Sequence, residues 1–143
     1  MPDELQVLGR AVKQAQYRQH RALDSRLAAA GTTLAQWDAL RAISRAPGAP
    51  ARTLATATFQ SEQAFGTLAG RLTALGLIDR RPGRGRRIEH YLTPSGEAVL
   101  SAGHRIADEV LAACYSSLSP ADRATLLGLL QRVDDGSGAS ADR

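Results

Sequence analysis

A single cysteine, Cys114, stands among the 143 residues of this chain. One thiol cannot build a disulfide framework or a paired-cysteine zinc or redox motif. The three histidines, His20, His90 and His104, fall in no H-E-x-x-H spacing, and neither a Walker loop nor a Gly-x-Ser-x-Gly elbow is present. No catalytic constellation emerges, so an enzyme is not expected, nor a metal or cofactor. Long apolar runs are missing too: none approaches the roughly 20 residues that span a bilayer. The N-terminus lacks the charged-then-apolar layout of a secretory signal, and a cytoplasmic protein without a membrane partner is expected. No internal repeat is evident. Cys114 itself lies in the apolar stretch Leu111-Ala112-Ala113-Cys114-Tyr115, which favours a buried, inert thiol over a redox sensor.

What the chain does have is arginine, placed unevenly. The formal net charge is +4, and residues 51–93 hold seven arginines against the three acids Glu62, Asp79 and Glu89, so this stretch alone accounts for the excess. Within it, Ala64, Phe65, Leu68, Ala69, Leu72 and Leu75 recur at spacings of three and four, one apolar stripe of a helix that begins near Ser61. Ser61 is a good N-cap and Gly76 a good terminator. Leu54, Ala55 and Ala57 suggest a shorter helix before it, leading through Thr58 and Phe59 into a tight turn. After Gly76, Leu77 and Ile78 open a strand that runs into Asp79 and Arg80. Ile88, His90 and Leu92 then alternate with Glu89 and Tyr91 as a second strand.

The reversal between the strands, Pro82-Gly83-Arg84-Gly85, is crowded by Arg80, Arg81, Arg84, Arg86 and Arg87. Two short helices followed by such a hairpin make a winged helix-turn-helix, and a basic hairpin fits a phosphate-lined groove of duplex DNA. A hairpin whose arginines serve only solubility is the alternative. A winged domain used for protein contacts is another, and a steep loss of DNA binding with salt discriminates against it.

The flanks read as helices. Residues 4–30 carry Leu5, Leu8, Val12, Gln19, Leu23 and Leu27 near one face and end at Gly31. Thr33 and Gln36 have capping-box spacing for a helix to Ser44 or Arg45, before the rigid turn Pro47-Gly48-Ala49-Pro50. Thr93-Pro94 opens another helix, through Ile106, Val110 and Leu111 to Tyr115. Ser119-Pro120-Ala121-Asp122 starts a last one bearing Leu126, Leu127, Leu129, Leu130 and Val133. Composition and length, with 43% apolar residues, suit one domain over residues 1–134, and residues 135–143 are expected to be a disordered tail. Terminal helices whose stripes are only partly covered by one winged lobe invite a two-fold homodimer.

From about Leu34 to Gly96 the chain resembles the MarR family of bacterial transcription regulators. The resemblance is carried by Gly31, Thr33-Leu34-Ala35-Gln36-Trp37 with Leu40 and Arg41, Pro47-Gly48, Leu54-Ala55, Arg71-Leu72, Gly76-Leu77-Ile78, the arginine hairpin, and Leu92-Thr93-Pro94-Ser95-Gly96. It implies a mainly α fold with a small β-hairpin: a winged helix-turn-helix lobe over about 33–93, with dimerisation helices over about 4–30 and 94–134. It also implies a ligand-responsive repressor acting on duplex DNA. Many members carry an Asp-x-Arg pair in the wing. Here Arg84 stands at the acid's position and Arg86 matches the arginine that enters the minor groove, with Glu89 as a substitute partner.

On the recognition helix, the stripe leaves Glu62, Gln63, Gly66, Thr67, Gly70 and Thr73 outward. Gln63 suits bidentate contact with adenine, and Ser61 and Thr67 suit phosphates or a thymine methyl. Gly66 and Gly70 either admit the DNA backbone closely or are merely tolerated by nearby packing. Arg71 either clamps a phosphate or pairs with Asp79. With Arg81, Arg84, Arg86 and Arg87 these residues form the expected DNA-binding set. For the small aromatic or anionic effector that the resemblance implies, Tyr17, His20 and Arg21 on the first helix and Trp37 and Arg41 on the second could form a pocket. Against it, Trp37 equally suits the core, and Arg21 equally suits a pair with Asp24 or Asp38.

Overall fold

The computed structural model describes the backbone of residues 2–141 and the side chains of residues 3–136. The order of elements is α1 (Pro2–Ala28), α2 (Leu34–Arg45), α3 (Ala51–Ala57), α4 (Glu62–Ala74), β1 (Ile78–Pro82), β2 (Ile88–Leu92), α5 (Pro94–Cys114) and α6 (Pro120–Ala141). The two strands form one antiparallel hairpin, with Ile78 opposite Leu92 and Pro82 opposite Ile88. Packing groups the chain into two compact units, one reaching to Val110 and the other from Leu111 on.

Side-chain caps set the helix starts. The Thr33 hydroxyl accepts from the Gln36 N–H at 3.1 Å, and the Ser61 hydroxyl accepts from the Ala64 N–H at the same distance. Ser119 and Asp122 bond reciprocally, a capping box that starts α6. Gln36 departs from the expected box at α2: its side-chain oxygen accepts from the Thr32 hydroxyl instead. The α2–α3 turn is clipped to the hairpin, because the Gly48 N–H donates to the His90 carbonyl at 2.8 Å. Gly48 holds φ +84 there with the Tyr91 ring close against it, a place where a side chain would meet both backbone strain and a clash.

The most deeply buried large side chains of the first unit come from α1, α2, α3, α4 and β1. Leu27, Leu40, Ile43, Leu54, Phe65, Leu72 and Ile78 are all essentially inaccessible. Each such side chain contributes roughly 1.5–3 kcal/mol by leaving water. The α4 stripe is narrower than the sequence suggests: Phe65, Ala69 and Leu72 are buried, while Ala64 is exposed and Leu75, at the helix C-cap, is 59% exposed. Ile88 likewise stands out at the wing tip, where it faces Pro82 across the hairpin and is exposed.

Long apolar stretches remain uncovered. Among the described side chains of α1 only Leu23 and Leu27 are buried, whereas Leu5, Leu8 and Val12 are open; on α6 Leu127, Leu129 and Val133 are open. The backbone of α6 runs to Ala141, and residues 142–143 of the segment expected to be a disordered tail lie outside the described residues. Cys114 is exposed at the end of α5, contrary to the buried thiol expected from its apolar neighbours, which are themselves exposed or half-buried.

Candidate nucleic-acid interface

Helix α4 presents Ser61, Gln63, Thr67 and Arg71 at spacings of two to four residues, all exposed. Together with Ala64 and Leu68 they line one open hollow of about 410 Å³ along the helix. Arg71 makes no ion pair among the described residues, since Asp79 is engaged by Arg81 at 3.8 Å. The pairing of Arg71 with Asp79 that its sequence position allows is therefore not formed, and its guanidinium is exposed on α4. Thr67 donates its hydroxyl to the Gln63 carbonyl at 3.2 Å.

No packing in this chain demands glycine at 66. A Cβ built there meets open space, and one built at Gly70 meets only the Arg80 guanidinium at an ordinary 3.9 Å. Gly66→Ala and Gly70→Ala are therefore expected to stabilise the free protein by about 0.8–1 kcal/mol each, the helix-propensity difference. On duplex DNA the same two changes are expected to weaken binding. Thermal unfolding and DNA titration of the same samples check this pair of opposite signs. Loss of stability in either variant would mean that folding, not DNA, requires the glycines.

Beyond α4 the hairpin carries its arginines in two groups. Arg84, Arg86 and Arg87, at the turn, are exposed and make no ion pair among the described residues. The turn closes through the Gly83 N–H on the Arg87 carbonyl at 2.8 Å, with Gly85 at φ +65. Arg81 is tied down instead: it lies over the Tyr91 ring at 4.5 Å and reaches Asp79. Glu89 does not take the place of the missing wing acid beside Arg86. Its carboxylate accepts from the Tyr91 hydroxyl at 2.8 Å, because alternation along β2 puts Glu89 and Tyr91 on one face. That bond is also the main reason the Tyr91 hydroxyl titrates above its usual range.

Three residues that the sequence did not single out as site residues organise this surface. His90 is buried beneath the wing, its Nδ1 donating to the Ala49 carbonyl at 2.9 Å and its ring edge-on to Phe65 of α4 at 5.8 Å. It thus joins the hairpin, the recognition helix and the approach to α3. Arg80 crosses from β1 to α4. Phe59, in the turn before α4, is 95% exposed and is the one non-glycine with positive φ among the described residues. The inward register of His90 with Leu92 is the signal that marks it as core.

Burial, opposed by the Ala49 bond and assisted by the nearby Arg80 charge, holds the His90 pKa below 6.5. The unfolded chain therefore binds the proton first as pH falls. Stability is expected to be level above about pH 6.5 and to decline below it. Asp38 acts with the opposite sign further down, since burial raises its carboxyl above the usual value against the pull of Arg41 and Arg45. Urea midpoints measured across this range check the slope, which His90→Gln should abolish while keeping a donor for Ala49.

The five residues expected to line an effector pocket fall into two groups. On α1, Arg21 donates to the Tyr17 hydroxyl at 3.4 Å and lies over its ring, with His20 exposed beside them. Asp24 accepts from the Leu34 N–H at 2.9 Å and makes no ion pair with Arg21. On α2, Arg41 stands 5.3 Å from the Trp37 ring. Trp37 is core: it is 4% exposed, its Nε1 donates to the Leu100 carbonyl at 3.3 Å, and Gly103 packs against its face. Arg41 instead lines a cavity of about 370 Å³ with Asp38, Arg45 and Phe59. Among the described residues no three metal-ligating side chains converge.

A helix-turn-helix followed by a basic hairpin is the frame of a DNA-binding winged helix, and comparison with known proteins narrows it. A family model described as the MarR family matches residues 30–88. A probable transcriptional regulator from Pseudomonas aeruginosa is 31% identical, with 87% of this chain and 95% of that one covered and a TM-score of 0.79. A cysteine-to-serine mutant of MarR from E. coli, complexed with operator DNA, is 24% identical, with 92% and 96% covered and a TM-score of 0.84. A Mycobacterium tuberculosis MarR-family protein in complex with p-aminosalicylic acid is 21% identical, with 89% and 98% covered and a TM-score of 0.74. No curated protein matches the chain by sequence. The chain belongs to the MarR family of transcription regulators, a family of DNA-binding proteins and not of enzymes. No helix among the described residues is long and apolar enough to cross a membrane.

Proposed function

We propose that the protein is a homodimeric, ligand-responsive repressor that reads a pseudo-palindromic operator. In this reading α4 enters the major groove and the tip of the hairpin follows the minor groove. The observation that carries it is the pairing of a polar, exposed face on α4 with three arginines, Arg84, Arg86 and Arg87, that form no ion pair with any described residue. Ser61, Gln63, Gly66, Thr67, Gly70 and Arg71 face the duplex, with Gln63 reading a base. Arg81 adds charge while anchored on Tyr91. The open apolar positions of α1 and α6 support a second copy as their cover, because residues such as Leu5 and Val133 are costly to leave in water.

A small aromatic anion is the effector that best suits Tyr17, His20 and Arg21, with Arg41 as a further cation and Trp37 acting from the core. The salicylate analogue bound by the mycobacterial relative has this chemistry. Such a ligand changes DNA affinity only by preferring one spacing of the two recognition helices. Sedimentation with DNA titration at several salt concentrations tests the whole reading. A dimer that prefers half-sites about 10 base pairs apart is expected. Gln63→Ala should cost about 1–3 kcal/mol at the cognate site and relax one position per half-site. A monomer at micromolar concentration, or a Gln63→Ala variant that binds every sequence as the parent does, would overturn it. Salicylate that leaves DNA affinity unchanged would reduce the protein to a constitutive DNA binder.

A further inference from the structure

We propose that Arg80 is a positioning residue, a strut that holds the wing at a set angle to the recognition helix so that the arginine tip meets DNA in register with α4. The proposal rests on the DNA-binding reading above. Arg80 lies directly opposite His90 in the hairpin, and strand alternation puts its side chain on the same face as buried Ile78 and His90. From that face its guanidinium donates to the Gly66 carbonyl, in the middle of α4, at 2.8 Å.

The guanidinium passes beside Gly70, while a Cβ at Gly66 would meet nothing within 4 Å. Gly66 and Gly70 stand one turn apart, and a Cβ at Gly70 would lie 3.9 Å from the guanidinium, so a side chain longer than alanine would begin to fill the lane. The neighbouring Arg81 faces the other way, onto Tyr91. Among the arginines of the hairpin, Arg80 is thus the one directed at the recognition helix.

Such a strut matters because the wing is only two strands of five residues. A two-stranded hairpin is marginal by itself, and buried side chains anchor this one at its base and middle, through Ile78 and His90, while the half toward the tip has none. A small rotation at the base moves the tip far more. A guanidinium bound to α4 removes that rotation, and it lets Arg84, Arg86 and Arg87 meet the backbone without an ordering cost at the moment of binding.

Hydrogen exchange of the wing amides in the DNA-free protein, combined with DNA titration, tests the strut. In Arg80→Ala, exchange within β1 and β2 is expected to rise roughly tenfold or more, the loss of one charge-assisted hydrogen bond, with the global unfolding midpoint unchanged. Arg86→Ala should then weaken DNA binding by a smaller factor in the Arg80→Ala background than in the parent, because the tip is already misplaced. Arg80→Lys, which keeps the charge without the fork, should recover only part of the wing protection. Unchanged wing exchange in Arg80→Ala, with binding losses that simply multiply with those of Arg86→Ala and full rescue by lysine, would make Arg80 a plain phosphate contact and overturn the proposal. If the parent itself fails to bind duplex DNA, the regulator reading fails, while the exchange data still decide whether the strut exists.

Discussion

Replacing Arg84, Arg86 and Arg87 together by alanine is expected to lower affinity for duplex DNA by roughly 10²–10⁴-fold, at about 1–2 kcal/mol for each charge-assisted phosphate or groove interaction. The dependence of binding on salt should flatten at the same time, by about 0.9 in the logarithmic slope for every phosphate that is no longer neutralised. Stability should stay within about 0.5 kcal/mol of the parent, because none of the three side chains makes an ion pair with a described residue. Arg81→Ala should behave differently. Its guanidinium stacks on Tyr91 and reaches Asp79, so its removal loosens the hairpin as well as reducing charge. Fluorescence anisotropy over a salt series reads these effects. A triple variant that bound DNA like the parent would remove the wing from the interface.

The second large effect concerns stability. Trp37→Ala is expected to cost about 3–5 kcal/mol, the range for emptying an aromatic site in a core, and this is a large share of the usual 5–15 kcal/mol of a domain. The indole is enclosed by Gly103, its N–H is bonded to the Leu100 carbonyl, and His104 meets it edge-on at 5.5 Å. Gly103→Ala should destabilise too, by about 1–3 kcal/mol, since its new methyl group would run into the indole ring. Gly96 is as tightly placed, against the Leu77 carbonyl. Urea denaturation checks both variants. A Trp37→Ala protein that folded with near-parental stability but lost its response to aromatic acids would return Trp37 to a pocket wall.

The His90 slope and the glycine substitutions probe the same lobe from inside. His90 reports whether hairpin, α4 and the α3 approach unfold together, because its ring touches all three. Gly66 and Gly70 report whether the outer face of α4 is shaped for folding or for a partner. The two tests move stability and DNA affinity independently.

Much of this was legible in the chain because local chemistry decided it. Thr33, Ser61, Thr93 and Ser119 cap helices through their own side chains, and the spacing of Phe65, Ala69 and Leu72 marks the buried face of α4 without any knowledge of what covers it. The concentration of arginine between Arg80 and Arg87, between two short strands, is likewise a property of sequence. Helix order, the hairpin and the polar face of α4 follow from interactions within a few residues. What only the tertiary structure decided are the pairings across distance. Arg80 turns to α4 while Arg81 turns to Tyr91, Glu89 serves Tyr91 and leaves Arg86 free, and Trp37 meets Gly103 of α5 and becomes core. Alternation along a strand tells which residues share a face, but not what lies opposite that face. That depends on how α2, α3 and α4 close around the hairpin and how α5 meets α2, a choice made by the whole core at once.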